Sequence, residues 1–456
     1  MVRPIQIILV FVLLLPYNAY PLSPSDNNIS SSYQPVGSGA RAIGMGGAFI
    51  GIADDATAAS WNPGGLVQLE KSEVSVVGSF LRRKEDFSFD NSSLIELEPQ
   101  AVNLDSLNYL SLSYCFNLLQ RNMVVSLNYQ NLYDFNREWR FPVHLSSKNP
   151  AFDYSIETYN DLTSEGNLSA IGLAYSIEIT PRFSFGVTLN YWEDDISNNK
   201  WETTNISNTK VITKDKTGTV IMNQNTLKHS HYTYQLDNGF NTNLGFLWHI
   251  NPRFTLGGVY KARFTTDLKV QSTTLDSTKT IQPDQDDKKT TTIKNNKQKN
   301  ELKMPMSYGL GLAFKITSLW TLSLDVYRTE WDEFIMKTPE IEFSPLFAIP
   351  DDLSIPTIKP THQIRLGTEY LIMNKQQQMI IPFRAGIFYD PVPGKGSPEK
   401  LWGFSLGTGI SKSKYNLDIA LQYRQGSNLG EDYNINTIQS YDISEIILYS
   451  SLIYHF

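Results

Sequence analysis

Cysteine is nearly absent: Cys115 is the single one in 456 residues, which excludes an intramolecular disulfide and any cysteine-based zinc site. Histidine is scarce too, with six residues. The one close pair, His229 and His231, has no carboxylate or cysteine set beside it to complete a metal site. No stretch after residue 19 approaches the roughly eighteen consecutive apolar residues of a transmembrane helix. Charge of one sign is also lacking. A net charge of −7 is modest for this length and argues against nucleic acid as a partner. Glycine pairs such as Gly46-Gly47 and Gly257-Gly258 are not followed by the Lys-Ser/Thr of a phosphate loop. With no triad, metal set or cofactor fingerprint, neither an enzyme nor a cofactor is expected.

What is abundant is aromatic, 12% of the chain, with 24 Tyr and 23 Phe. From residue 72 the chain reads as fourteen strands, near 72–81, 107–117, 123–133, 167–178, 183–192, 238–249, 254–268, 305–315, 320–331, 361–371, 380–389, 402–410, 415–424 and 445–456. Most have the length a tilted transmembrane strand needs. Near the C-terminus, Tyr415, Leu417, Ile419, Leu421 and Tyr423 alternate with Asn416, Asp418, Ala420, Gln422 and Arg424. A soluble sandwich gives the same alternation, but the connection lengths separate the two. Short ones such as Ile179–Arg182 and Ser411–Lys414 alternate strictly with long ones such as 134–166 and 193–237. That is the habit of an up-and-down membrane barrel with tight turns on one side and long loops on the other. Without a transmembrane helix, a closed barrel is the form in which this chain can cross a membrane.

Residues 1–19 read as a secretory signal, with Arg3, the apolar run Ile5–Leu15 and Ala19 at the cleavage site. Residues 20–71 read as a plug filling the barrel of residues 72–456. At its centre is Gly39–Leu66, rich in glycine and alanine and without strand alternation. Ala53–Ser60 is long enough for two helical turns. Gly44, Gly46 and Gly47 permit close backbone approach, and Asn62, Pro63 and Gly64 form a tight turn read as a latch against the wall. Loop 271–300 is polar and low in complexity, which predicts a mobile segment, and 193–237 is similar with a small hairpin near Val211–Val220. Arg365 and Glu369, Arg384, Asp418 and Arg424 fall on inward faces. They suit a salt-bridge network anchoring the plug, while Arg384 or Arg365 also suits the carboxylate of a passing amphiphile.

GARAIGMGGAFIGIADDATAASWNPGGL (39–66) resembles the N-terminal signature of the FadL/TodX-type outer-membrane transport family for hydrophobic compounds. Gly239–Trp248 with Arg253–Tyr260, and Pro382–Tyr389 with Pro391-Val392-Pro393, resemble it further along the chain. Where that family usually has Asn-Pro-Ala, this chain has Asn62-Pro63-Gly64, which keeps the turn and makes it more flexible. The resemblance implies an all-β, about 14-stranded antiparallel transmembrane barrel with an N-terminal hatch, acting as a monomer in the bacterial outer membrane. It implies a hydrophobic small-molecule substrate such as a long-chain fatty acid, taken up passively, with outer-membrane lipids and the barrel assembly machinery as partners. The second reading is a scaffold or shuttle for secreted or surface proteins, since such barrels share the fold.

Overall fold

The computed structural model describes residues 37–89, 99–148, 151–197, 199–283, 285–339, 342–343, 358–394, 396–430 and 438–456. The signal segment and residues 20–36 lie outside them. Fourteen antiparallel strands close a ring: β1 Glu73–Phe89, β2 Gln100–Leu118, β3 Arg121–Asp134, β4 Asp153–Thr180, β5 Phe183–Trp192, β6 Gly239–His249 and β7 Phe254–Lys261, then β8 Ser307–Lys315, β9 Trp320–Thr329, β10 Thr361–Asn374, β11 Met379–Tyr389, β12 Trp402–Lys412, β13 Tyr415–Leu429 and β14 Ile438–His455. Closure is made by β1 on β14, with Glu73 opposite His455 and Val76 opposite Leu452.

Alternation sets which side each residue takes. On β13, Leu417, Ile419 and Leu421 are about half exposed, while Asp418, Ala420 and Arg424 are buried. A band of exposed leucines and isoleucines continues round the outside, at Leu112, Leu173, Leu310, Ile364 and Leu406 among others. In water each such side chain forgoes about 1.5–3 kcal/mol of burial, so the band belongs in lipid. Aromatic residues edge it twice. Trp248, Phe254, Trp320, Tyr370, Phe383 and Tyr415 stand near the short turns, and Tyr191, Phe240, Tyr260, Tyr308 and Trp402 near the long connections.

The connections over 193–237 and 271–300 are not the mobile loops their composition suggests. Above the ring, Arg137–Lys148 pairs with the upper part of β4, which also pairs with Lys200–Lys214. That strand pairs with Val220–Leu236, which pairs with Phe264–Ile281, which pairs with Lys288–Met304. The small hairpin expected near 211–220 is the tip of a long one, and 271–300 is mostly strand. Polar composition forbids a core but not a ladder: Thr and Ser alternate well, and the neighbouring strand supplies the partners. The strand expected over 254–268 is two, because the chain leaves the ring after Lys261 and begins a separate pairing at Phe264. β4 carries the sheet furthest, with 28 residues.

Candidate functional site

The segment from residue 37 to Leu66 lies buried inside the ring, nearly all of it inaccessible. It forms a helix at Ala40–Gly44 (α1), a second at Ala58–Trp61 (α2) and a 3₁₀ turn over Pro63–Gln68. The two-turn helix expected from Ala53 is one turn starting at Ala58, since Ala53 takes φ +35°, outside the helical region. Helices this short do not stand alone, so the wall must supply what they lack.

The wall supplies hydrogen bonds and close approach. The amides of Phe49 and Ile50 donate to one oxygen of Asp325, at 2.7 and 2.8 Å. The Ala40 and Gly46 amides donate to the hydroxyls of Ser451 and Ser405, at 2.7 and 2.8 Å. On the opposite side the wall donates. The Tyr109 hydroxyl bonds the carbonyl of Ala56 (2.7 Å), Thr188 that of Ala59 (3.1 Å), and Ser184 and Ser176 that of Gly64 (2.6 and 3.3 Å). Asn62 Nδ2 donates to the carbonyls of Ile50 and Phe246 at 2.8 and 2.9 Å, and its Oδ1 accepts from the Gly64 amide. The tight turn therefore ties the segment to itself and to β6.

Close approach explains the glycines. Gly46 takes φ +70° and faces Gly386 on β11, while Gly44 faces Gly407 on β12 and Gly51 faces Gly311 on β8. At Gly47, φ is +72° and Arg365 lies alongside. A Cβ on Gly64 would fall within 3 Å of the backbone of Gly245 and Phe246. Glycine here serves contact with the wall, where the sequence suggested a looser turn.

Charge gathers on one side. Arg41 reaches Asp54 (2.6 Å) and Glu369 (2.9 Å), Glu369 also meets Arg384 (2.6 Å), and Arg384 meets Asp418 (2.6 Å). A second chain runs Arg365–Asp390–Arg424–Glu445–Arg83, through contacts of 3.3, 3.4, 2.6 and 2.6 Å. Arg365 also lies 6.0 Å from the ring centre of Trp61. In both chains the signs alternate, as buried charges require. Both candidate arginines, Arg384 and Arg365, are thus engaged by carboxylates of the wall. Within the N-terminal segment, burial pushes the Asp55 carboxyl up to about 6, against the pull of Arg41 and of its bond from Thr57.

At the outer end of the lumen lies a cluster of buried apolar side chains. Phe135, Leu168, Trp192, Trp201 and Tyr234 pack there with Leu236, Leu268, Leu302, Met304, Trp331, Phe334 and Met336. Trp201 stacks between Phe135, at 4.5 Å and 11°, and Tyr234, at 4.8 Å and 6°. At the other end, beneath the 3₁₀ turn, a cavity of about 500 Å³ opens beside Gln68, Leu69, Cys115, Met123, Glu178 and His249.

The sequence profile of the outer membrane protein transport protein family (OMPP1/FadL/TodX) matches residues 35–401. The chain belongs to this family. Solved structures of similar fold include a FadL homologue from Pseudomonas aeruginosa, with 13% identity, TM-score 0.56, and 94% of this chain and 100% of that one covered. The P. putida toluene transporter TodX aligns with 14% identity, TM-score 0.51 and coverage of 93% and 99%. The Ralstonia pickettii toluene transporter TbuX aligns with 12% identity, TM-score 0.51 and coverage of 93% and 100%. At these identities the likeness establishes the fold. No curated protein sequence matches the chain. As a member of the FadL/TodX family the protein is an outer-membrane β-barrel, so its long connections face outward and its short turns face the periplasm.

Two parts of this FadL/TodX-type lumen escape a sequence reading. Asp325 sits in an ordinary alternation, Leu324-Asp325-Val326, and only its inward phase marks it. The outer apolar cluster draws its aromatic residues from several separate connections, each polar on average.

Proposed function

We propose that the protein is a passive outer-membrane channel for hydrophobic and amphipathic small molecules, with residues 37–69 as its hatch. The observation that carries this reading is a barrel whose lumen is filled by a segment that holds to both walls, with an aromatic-rich apolar cluster at its outer mouth. An apolar solute gains about 25 cal/mol for each Å² it removes from water, so it collects at the apolar outer mouth without an energy source. A shift of the Asn62–Gly65 turn then lets it pass. Long-chain fatty acids belong to the solute class, as do small aromatic hydrocarbons, since TodX and TbuX are toluene transporters.

The test compares the intact protein with a deletion of residues 39–66, which contains no ring strand. The deletion is expected to fold as a heat-modifiable barrel and to conduct ions in planar bilayers at least tenfold better than the intact chain. Cells carrying the intact protein should take up a fluorescent fatty acid or toluene faster than cells lacking it. Equal conductance removes the hatch assignment, and equal uptake of both solutes removes the transport reading.

A further inference from the structure

Every short turn of the ring carries a cation, and none carries a carboxylate. Over 118–122, 179–182, 250–253, 315–319, 372–379 and 411–414 stand Arg121, Arg182, Arg253, Lys315, Lys375 and the pair Lys412 and Lys414, with no Asp or Glu. The whole chain has more acid than base, 46 residues against 39, so an even scatter of charge would place carboxylates there too. All of these cations are exposed. Among the described residues none of them meets a carboxylate. Arg121 donates to the carbonyls of Glu178 and Ile179, and Lys414 lies 5.7 Å from the ring centre of Tyr454. The outer end differs: there Lys216, Arg263, Lys269, Lys299 and Lys337 each hold a carboxylate, at 2.6–3.0 Å.

Three of the turns form a continuous arc. Pro181-Arg182-Phe183 and Pro252-Arg253-Phe254 repeat one pattern, between β4 and β5 and again between β6 and β7. The Arg182 carbonyl accepts from the His249 amide at 2.7 Å, and the Arg253 carbonyl from the Lys315 amide at 2.8 Å, so each turn is tied to the next. Successive turns stand two strands apart, roughly 10 Å. Phe183 stacks on Phe246 (6.0 Å) and Phe254 on Phe314 (4.6 Å), while Trp248 pairs opposite Phe183 and is exposed on the outside. Outward aromatics of this kind mark the depth of lipid headgroups. A Lys or Arg beside them lays its stem on apolar surface and presents its charge to the headgroup layer. The nearby Glu178 accepts from Asn122 (2.7 Å) and meets none of the three cations. The arc therefore holds three positive charges at headgroup depth with no carboxylate to match them.

We propose that this arc binds the phosphate headgroup of an anionic glycerophospholipid in the periplasmic leaflet, through Arg182 and Arg253 with Lys315 beside them. The proposal rests on the orientation that family membership gives the barrel and is independent of what the lumen transports.

The test places the full-length protein in phosphatidylcholine bilayers with spin-labelled phosphatidylglycerol or phosphatidylcholine as probe, read by electron spin resonance. Each cation near an anionic lipid surface is worth about fivefold in association. The unmodified protein is expected to hold phosphatidylglycerol at least about threefold more tightly than phosphatidylcholine, a preference that shrinks as salt rises from about 0.05 M to about 0.5 M. That readout needs no variant. Arg182→Gln with Arg253→Gln and Lys315→Gln keeps the backbone bonds between turns and should remove most of the preference. Lys288→Gln with Lys289→Gln and Lys294→Gln, in the outer hairpin, should leave it intact. Equal association of the two lipids with the unmodified protein, a preference indifferent to salt, or an equal loss in the outer variant overturns the proposal. Binding of an acidic peptide at these turns without any preference for phosphatidylglycerol also overturns it, and makes the arc a protein-docking surface.

Discussion

The two halves of the barrel wall hold the same segment by different means. From β9 round through the closure to β1, the inward faces bury Asp325, Arg365, Glu369, Arg384, Asp418, Arg424, Glu445 and Arg83. From β2 to β8 the buried polar side chains are Ser, Thr, Asn and Gln, such as Ser126, Asn128, Gln130, Thr188 and Asn243. The chain divides accordingly. Residues 40–50 are bound to the charged half through Glu369, Asp325, Ser405 and Ser451. Residues 56–64 are bound to the neutral half through Tyr109, Thr188, Ser184 and Phe246. Charge-assisted bonds are roughly twice as strong as neutral ones. The periplasmic cavity also lies on the neutral side. Under the proposed passage of solute, one half anchors the segment and the other lets go.

The comparison breaks most visibly at Arg384. Arg384→Ala leaves Glu369 and Asp418 buried with less positive charge, a loss of about 3–5 kcal/mol. It should lower the unfolding midpoint in detergent by several degrees and reduce the heat-modifiable fraction. An unchanged midpoint would mean the charged half anchors nothing. Gly64→Ala probes the neutral half. Overpacking against Gly245 and Phe246 costs about 1–3 kcal/mol, local to the turn. The barrel should melt close to normal while single-channel recordings gain brief openings. A silent channel with a normal melt would show that the turn does not need its tight seat.

The smallest effect concerns pH. Asp55 has its carboxyl raised from 3.8 to about 6 by burial, with Arg41, Thr57, Asp54 and Glu73 around it. A raised carboxyl stabilises the packed state fully below 3.8, and that contribution fades as pH climbs through 6. Between pH 5 and pH 7 the segment should lose about 1 kcal/mol of hold, read as more frequent openings at neutral pH. Asp55→Asn should flatten that dependence. If the variant keeps the full dependence, another group controls it.

Much of this plan was legible in the chain. Each ring strand overlaps an alternating segment, because one face meets lipid and the other does not. The inward charges were legible for the same reason, since Arg365 and Glu369 share a face by parity alone. Other features depend on partners distant in sequence. The ladder over 271–300 needs the strand Val220–Leu236, and composition says nothing of pairing. Gly64 looks like a flexible turn until Gly245 is placed against it. Trp201 and Phe135 lie 66 positions apart, within stretches that average as polar.

The glycine contacts between segment and wall bear on the order of assembly. Gly44 against Gly407, Gly46 against Gly386 and Gly51 against Gly311 leave no side chain between two backbones, so each surface is shaped only in the presence of the other. The N-terminal segment emerges first, yet its helices of five and four residues have no core of their own. It must wait, unstructured, until β14 meets β1. The wall is then the mould in which the first-made part of the chain is the last to set.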